Sequence, residues 1–325
     1  MMSNLIQIEQ LNLHVTKRKQ QLTLVSDLSL AIQKGEVFAL VGESGSGKSM
    51  TAKALTGMLP NNIEQQVETL TLGEHNLKTL SKKAWQNIRG EEIGIVFQDP
   101  MTSLNPTMKI GDQLTEIFVV KWRLKKQQAY EKSIALLEKV KITEPALRMK
   151  QYPHELSGGM RQRVLIAIAV ALSPTFIVAD EPTTALDVTT QKQILQLFKE
   201  LKDEEERSIL LITHDLGVVA EVADRVGVMY AGRIVEVGTV NELFDQPQHP
   251  YTKGLLRSLV TGETNRSLPL KSIAGTPPLP TENMKGCPFA ARCDQAMSIC
   301  LTQKPPRKVT DRHEVECWLT EKGDV

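Results

Sequence analysis

The sequence predicts an α/β fold built on a mostly parallel sheet, and three observations predict it. An apolar run, Val37–Val41, leads directly into the glycine-rich stretch Gly42–Ser49 and then into a helical pattern. Further apolar runs at 93–97, 176–179 and 208–212 recur downstream, as strands buried on both faces do. A helix-spaced set, Ile194, Leu195, Leu197, Phe198 and Leu201, lies between the last two. Strand alternating with helix in this way argues for parallel strands with helices on their faces.

The elements follow in order. Residues 5–41 read as strands through Ile6, Ile8, Leu11 and Leu13, then Leu22, Leu24, Leu28, Leu30 and Ile32. A charged turn, Lys17–Gln21 with Arg18 and Lys19 inside it, separates the first two. The helix after Ser49 runs through Ala52, Ala54 and Leu55 and stops near Gly57, with Pro60 beyond. Residues 63–92 carry no clear period. From about 109 to 172 the pattern is helical: Ile134, Leu137 and Lys141, with Ala135, Leu136 and Val140 beside them, make one stripe. Met160–Leu172 makes a second, strongly apolar helix. This stretch interrupts the sheet and predicts an inserted helical subdomain, about 105–172. Residues 225–238 read as a short pair of strands. Beyond Glu242, prolines such as Pro247, Pro250, Pro277, Pro278, Pro305 and Pro306 crowd a region that should hold little regular structure. The predicted division is 1–242 and 243–325.

Composition excludes several classes. Of 325 residues, 41% are hydrophobic and 24% charged, ordinary for a globular protein, and the formal net charge of +1 lacks the basic excess of a nucleic-acid binder. The longest apolar run, Val164–Leu172, is too short to span a bilayer. The first residues lack the basic and apolar regions of a signal peptide. A cytoplasmic protein is expected, one that works at a membrane only by docking onto something that spans it.

The chemistry starts at Gly42-Glu43-Ser44-Gly45-Ser46-Gly47-Lys48-Ser49, which fits the G-x-x-x-x-G-K-[ST] pattern. The glycines let the backbone come close to a polyphosphate, and successive N–H groups make an anion nest at a helix mouth. Lys48 offers a point charge to the terminal phosphates and Ser49 a hydroxyl to Mg²⁺. Asp180 and Glu181 end the strand 176–179; the first suits Mg²⁺ held partly through water, the second an attacking water. His214 ends the strand 208–212, where a γ-phosphate contact is useful, and Gln98 follows the strand at 93–97, able to touch both Mg²⁺ and the water. Ser157, Gly158 and Gly159 precede a helix and suit a second anion site completing the pocket of another subunit; Ser157 equally suits a plain N-cap.

This order of motifs, with Thr184–Asp187 between Glu181 and His214, resembles the ATP-binding-cassette ATPases across about residues 5–240. The resemblance implies a P-loop NTPase cassette with a mostly parallel core sheet, an antiparallel β subdomain and the inserted helical subdomain. It also implies a head-to-tail dimer binding two ATP molecules with Mg²⁺. Glu181 would be the catalytic base and His214 the γ-phosphate sensor. Gln98 would link to the membrane subunits. Ser157, Gly158, Gly159 and Asp187 would act across the interface. Phe97–Pro106, Leu156–Arg163, Gln248–Thr252 and Gly275–Pro278 are similar to the peptide and nickel importer branch. Met160, where most cassettes carry Gln, resembles one of two paralogous ATPases, so a heterodimer is implied. Two membrane permeases and, indirectly, an extracellular substrate-binding protein are the other implied partners, with the chain peripheral on the cytoplasmic face and no nucleic acid bound. The expected function is ATP-driven uptake of di- or oligopeptides. A nickel-chelate importer is the alternative, and a soluble cassette ATPase of DNA repair or translation the more distant one. No Phe, Tyr or Trp precedes Phe38 to stack on adenine; His14 is the only ring there.

Cys287, Cys293, Cys300 and Cys317 cluster near the end of the chain in a C-x₅-C-x₆-C-x₁₆-C pattern. That spacing is neither the usual zinc finger nor a bacterial ferredoxin run. The resemblance of the Gly286–Cys300 segment to peptide-importer extensions implies a four-thiolate [4Fe–4S] cluster. Zinc and unligated thiols stay open as alternatives.

Overall fold

A computed structural model of the chain describes residues 4–17, 20–259, 273–280, 285–310 and 313–324. Two compact units emerge, Met1–Thr79 with Thr213–Val325, and Leu80–Ile212.

The first unit opens with strands β1 (Asn4–Lys17) and β2 (Gln20–Gln33), paired antiparallel. Ile6, Ile8, Leu11 and Leu13 of β1 are buried, as are Val25, Leu28, Leu30 and Ile32 of β2. The apolar period slips by one residue between Ile8 and Leu11, where the register shifts and Gln10 takes φ 52°. A bulge there keeps both apolar sets on the core face. Of the expected charged turn, Lys17 is the last residue of β1 and Gln20 and Gln21 are the first of β2, and Arg18 and Lys19 lie outside the described residues. Next come β3 (Val37–Val41), buried throughout, and helix α1 (Lys48–Leu55). The stretch without a clear period holds β4 (Ile63–Gln66), β5 (Thr69–Leu72) and β6 (His75–Asn76). These complete an antiparallel sheet ordered β2–β1–β5–β6, with β4 against β1. Strands of two to four residues are too short for alternation to announce them.

The second unit begins with α2 (Lys82–Glu91) and β7 (Ile93–Val96). Its helices are α3 (Pro100–Ser103), α4 (Ile110–Trp122), α5 (Lys126–Lys139), α6 (Pro145–Arg148) and α7 (Gly158–Val170). Then follow β8 (Phe176–Asp180), α8 (Val188–Glu205) and β9 (Ser208–Thr213). The strands β7, β8 and β9 run parallel, with β8 in the middle. Helix α7 approaches β7 so closely that a Cβ on Gly94 would lie 2.4 Å from the Ala169 carbonyl oxygen.

The chain returns to the first unit with α9 (Leu216–Val222), β10 (Arg225–Tyr230) and β11 (Arg233–Thr239). Strand β10 lies parallel to β3 and antiparallel to β11. The extension then adds α10 (Val240–Asp245), α11 (Pro250–Arg257), α12 (Ser298–Thr302), β12 (Arg307–Thr310) and β13 (His313–Glu316). Here the expectation of little regular structure fails, because β13 pairs with β11 and β12 with β13. The join is polar: His313 Nε2 lies 2.7 Å from Oε1 of the buried Glu236 on β11. A four-residue strand of His, Glu, Val and Glu does not read as apolar. Among the described residues no helix is long and apolar enough to cross a membrane.

A pH dependence follows from His249, wholly buried, whose Nδ1 accepts the Tyr251 N–H at 3.0 Å. Burial lowers its pKa from 6.5 to about 4, so the unfolded chain binds a proton that the folded chain refuses. The stability contributed is complete above pH 6.5 and is lost as pH falls towards about 4, by on the order of 3 kcal/mol. Denaturant titrations from pH 7 to pH 4 should show this acid limb. His249→Asn, which can accept the same bond without titrating, should flatten it; an equally steep limb in the variant would rule the assignment out.

Candidate active site

Strand β3 delivers the chain into Gly42–Ser49, and the loop's shape follows from two close approaches. Gly42 has φ 154° and Gly47 φ 106°. A Cβ on Gly42 would sit 2.1 Å from the Met229 carbonyl oxygen, and one on Gly47 2.6 Å from Met229 Cε. Gly42 therefore excludes a side chain for lack of room as well as for conformation, and Gly47 excludes one chiefly by its left-handed backbone. Ser44 lies exposed at the tip, and a Cβ on Gly45 would meet nothing within 4 Å. The Ser46 carbonyl accepts the Gly232 N–H at 2.9 Å, which ties the loop to the β10–β11 turn. Lys48 is buried, its Nζ donating to the carbonyls of Gly42 (2.8 Å) and Glu43 (3.0 Å) and to Ser46 Oγ (3.4 Å). No side chain caps the start of α1. A helix mouth with uncapped amides and a cation fixed beside them is chemistry suited to a polyphosphate.

In the second unit, β8 ends on Asp180, and Glu181 follows with φ 47°. Left-handed backbone at a glutamate costs about 1–3 kcal/mol unless its surroundings over-determine it. Here they do. The Glu181 N–H donates to the Ile212 carbonyl at 2.9 Å. Its Oε2 accepts from Gln98 Nε2 and from Thr184 Oγ1, each at 2.9 Å. Two donors on one oxygen fix the plane of the carboxylate. Gln98 and Glu181, expected to work on one water, are thus in direct contact.

Two helix starts meet close by in sequence logic and in space. Ser157 caps α7, its Oγ accepting the Met160 N–H at 3.3 Å. The hydroxyl keeps its own proton to donate. Asp187 caps α8 and accepts from Thr190 N–H (2.9 Å) and Thr190 Oγ1 (2.6 Å), bonds that hold its pKa below the ordinary aspartate value. A Cβ on Gly159 would fall 2.4 Å from Thr190 Cγ2. Gly159 is required by packing against α8, a reason the sequence does not disclose. Gly158 is less constrained, 3.7 Å from Leu186 at its nearest.

His214 is exposed between β9 and α9, and Asp215 caps α9 by accepting from Gly217 and Val218 N–H groups. His14 lies on the β1–β2 pair with Nδ1 3.2 Å from Thr23 Oγ1.

The four cysteines come together. Cys287, Cys293, Cys300 and Cys317 line one cavity of about 10 Å³ with His249, Phe289 and Trp318, and none is in a disulfide. The Cys300 sulfur accepts the Met297 N–H at 3.5 Å. Burial pushes the Cys287 thiol up to about 11 and raises Cys293 and Cys317. Such a cavity holds no more than about one water-sized sphere. Among the described residues no group of three or more His, Cys, Asp or Glu is disposed to hold a metal. The cluster and zinc expectations therefore find no support in this arrangement.

Sequence reasoning missed what grips Glu43. Arg292 Nη1 and Nη2 reach its carboxylate at 2.6 and 3.0 Å, and the Glu43 N–H donates to Tyr251 Oη at 3.0 Å. An arginine one place before a cysteine carries no sequence signal of such a partner.

Two family descriptions match the chain: ABC transporter over residues 25–184, and oligopeptide/dipeptide transporter, C-terminal region, over residues 235–300. The oligopeptide transport ATP-binding protein OppD of Bacillus subtilis is 49% identical, covering 98% of this chain and 89% of its own. The chain belongs to the ABC transporter family. Within it, the dipeptide transport ATP-binding protein DppD of Bacillus subtilis is 47% identical over 98% of this chain and 95% of its own. OppD of Escherichia coli is 45% identical over 97% and 93%. Among solved structures, the dimeric post-hydrolysis state of the ATP-binding cassette MJ0796 bound to ADP and Pi superposes with a TM-score of 0.64 at 26% identity, covering 72% of this chain and 98% of that one. The cassette cbiO1 from Clostridium perfringens gives the same score and identity over 75% and 91%. The fold is that of the ABC cassette and the chain is an ATPase of this family, for which ATP and Mg²⁺ are the expected nucleotide and metal.

Thr190 cannot turn its methyl away from Gly159 without breaking its bond to Asp187. Gly159→Ala should therefore cost about 1–3 kcal/mol of stability. Thr190→Ser removes Cγ2 and keeps the hydroxyl, so the double variant should recover most of that loss in denaturant unfolding. Additive losses would contradict the shared contact.

Proposed function

We propose that this chain is the ATP-hydrolysing subunit of a membrane importer that takes up di- or oligopeptides. The observation that carries the substrate class is the oligopeptide/dipeptide transporter C-terminal region at residues 235–300, in a chain similar over nearly its whole length to OppD and DppD. These names favour peptides over the nickel-chelate alternative. The proposed division of labour is a cassette, 1–242, with a helical subdomain at about 105–172, and an extension, 243–325.

On the P-loop, Gly42–Ser49 takes the phosphates, with Lys48 as the fixed cation and the Ser49 hydroxyl as a Mg²⁺ ligand. In the other unit, Asp180 and Gln98 supply hard oxygens suited to Mg²⁺, and Glu181 is the general base. The support for that base is its over-determined backbone and the two donors on Oε2. His214 senses the γ-phosphate. Ser157, Gly158, Gly159 and Asp187 act towards a second ATPase subunit, for which the dimeric state of MJ0796 is a precedent. Met160 favours a paralogue in that place. Two integral permeases complete the machine, with Gln98 as the link to them and an extracellular binding protein as the indirect partner. The chain would sit peripherally on the cytoplasmic face.

Glu181→Gln tests the base. It should cut turnover by roughly 10²-fold or more while ATP still binds; undiminished hydrolysis would remove Glu181 from that role. The four-thiolate cluster is a second reading, resting only on the resemblance of the Gly286–Cys300 segment to peptide-importer extensions. Protein purified anaerobically should then be brown, with about four irons per chain. A colourless, iron-free sample would end this reading, and zinc alone would favour the zinc alternative.

A further inference from the structure

Glu43 is the first variable residue of the phosphate-binding loop, and the extension holds it at two points. Its carboxylate forms a two-bond fork with Arg292, whose side chain is only 6% exposed. Its N–H donates to the hydroxyl of Tyr251, a side chain with no exposed surface. Every guanidinium nitrogen of Arg292 is engaged: Nε donates to the Ala274 carbonyl (2.9 Å), Nη2 also to the Ile273 carbonyl (3.2 Å), and Nη1 also to Tyr230 Oη (3.1 Å). The guanidinium lies over the rings of Tyr230 and Phe289 at 5.7 and 5.9 Å. A fork so fully satisfied and so little exposed is geometrically rigid and poorly screened.

The turn that presents Arg292 is set from both sides by the cysteines. Ala290 N–H donates to the Cys287 carbonyl at 3.1 Å, Arg292 N–H to the Phe289 carbonyl at 2.9 Å, and Cys293 N–H to the Ala290 carbonyl at 3.3 Å. From Glu43 the connection continues inward, since its carbonyl accepts Lys48 Nζ. One chain of contacts thus runs from the extension through Glu43 to the lysine of the loop.

We infer that Arg292 and Tyr251 are positioning residues for nucleotide binding, through which the C-terminal extension sets the affinity of the loop for ATP. The inference rests on the reading of Gly42–Ser49 as the phosphate site. Two effects act together. Fixing the N–H and carboxylate of Glu43 removes freedom from a loop whose amides must converge on an anion. Pairing the carboxylate also neutralises a negative charge on the same loop that receives a polyphosphate.

The test is equilibrium binding of MgATP to the full chain. Arg292→Ala should weaken binding about tenfold, and Arg292→Lys, which keeps charge without the fork, should fall between it and wild type. Adding Glu43→Gln to Arg292→Ala should restore part of the affinity, because the unpaired carboxylate is gone; a purely structural role for Arg292 predicts no such recovery. Tyr251→Phe removes only the hydroxyl and should weaken binding severalfold with an unchanged nucleotide-free melting temperature, which keeps the test open if Arg292→Ala folds poorly. Wild-type affinity in Arg292→Ala and Tyr251→Phe, or additive losses in the double variant, would overturn the inference alone. A wild-type chain that binds no MgATP would overturn the ATPase reading together with it.

Discussion

Two glycines packed against Met229 shape the Gly42–Ser49 loop, the stretch proposed to take the nucleotide. Gly42 comes so close to the Met229 carbonyl that it has no room for a Cβ, and Gly47 is held at φ 106° against the Met229 methyl. Strand β10, which carries Met229, is itself zipped in parallel to β3, which carries the loop. The close approach is therefore a consequence of sheet register, and the loop inherits the rigidity of two buried strands. Lys48 crosses the loop from within, bonded to its carbonyls, and Gly232 holds it from the side. The result is an array of amides and one cation whose positions are fixed before any anion arrives, the condition under which such groups bind charge most effectively.

The second unit places its chemistry by a different device, the capped or strained turn at the end of an element. Glu181 stands where β8 ends, in a left-handed conformation locked by the Ile212 carbonyl, Gln98 and Thr184. Ser157 and Asp187 cap helix starts, and Thr190, bonded to Asp187, lies against Gly159 in the first turn after Ser157. Each of these side chains therefore sits beside a backbone feature that its own neighbours enforce. Strain at Glu181 is a cost that the packing of the parallel strands offsets, while glycine at 159 avoids a clash with α8.

Much of this was legible in the residues. The buried strands β3, β7, β8 and β9 announce themselves as unbroken apolar runs, because parallel strands covered on both faces have no polar side to show. The loop, the Asp180–Glu181 pair and the Ser157–Gly159 helix start were readable because each needs particular residue types at fixed spacing. What stayed hidden was polar or distant. Strand β13 joins the sheet through a histidine–carboxylate contact with Glu236, and no hydrophobic pattern reports that. Arg292 meets Glu43 across 249 residues of sequence, and a pair so far apart in the chain has no local signature. The cysteines were legible as a cluster. Their disposition around a cavity of about 10 Å³ was not.

The central claim is that the amides of the Gly42–Ser49 loop bind the polyphosphate of ATP. Hydrogen exchange of the full chain, with and without MgATP, tests it most directly. The account predicts slowed exchange at the amides of Gly45–Ser49 when MgATP is present. MgATP binding that leaves exchange at those amides unchanged would contradict it.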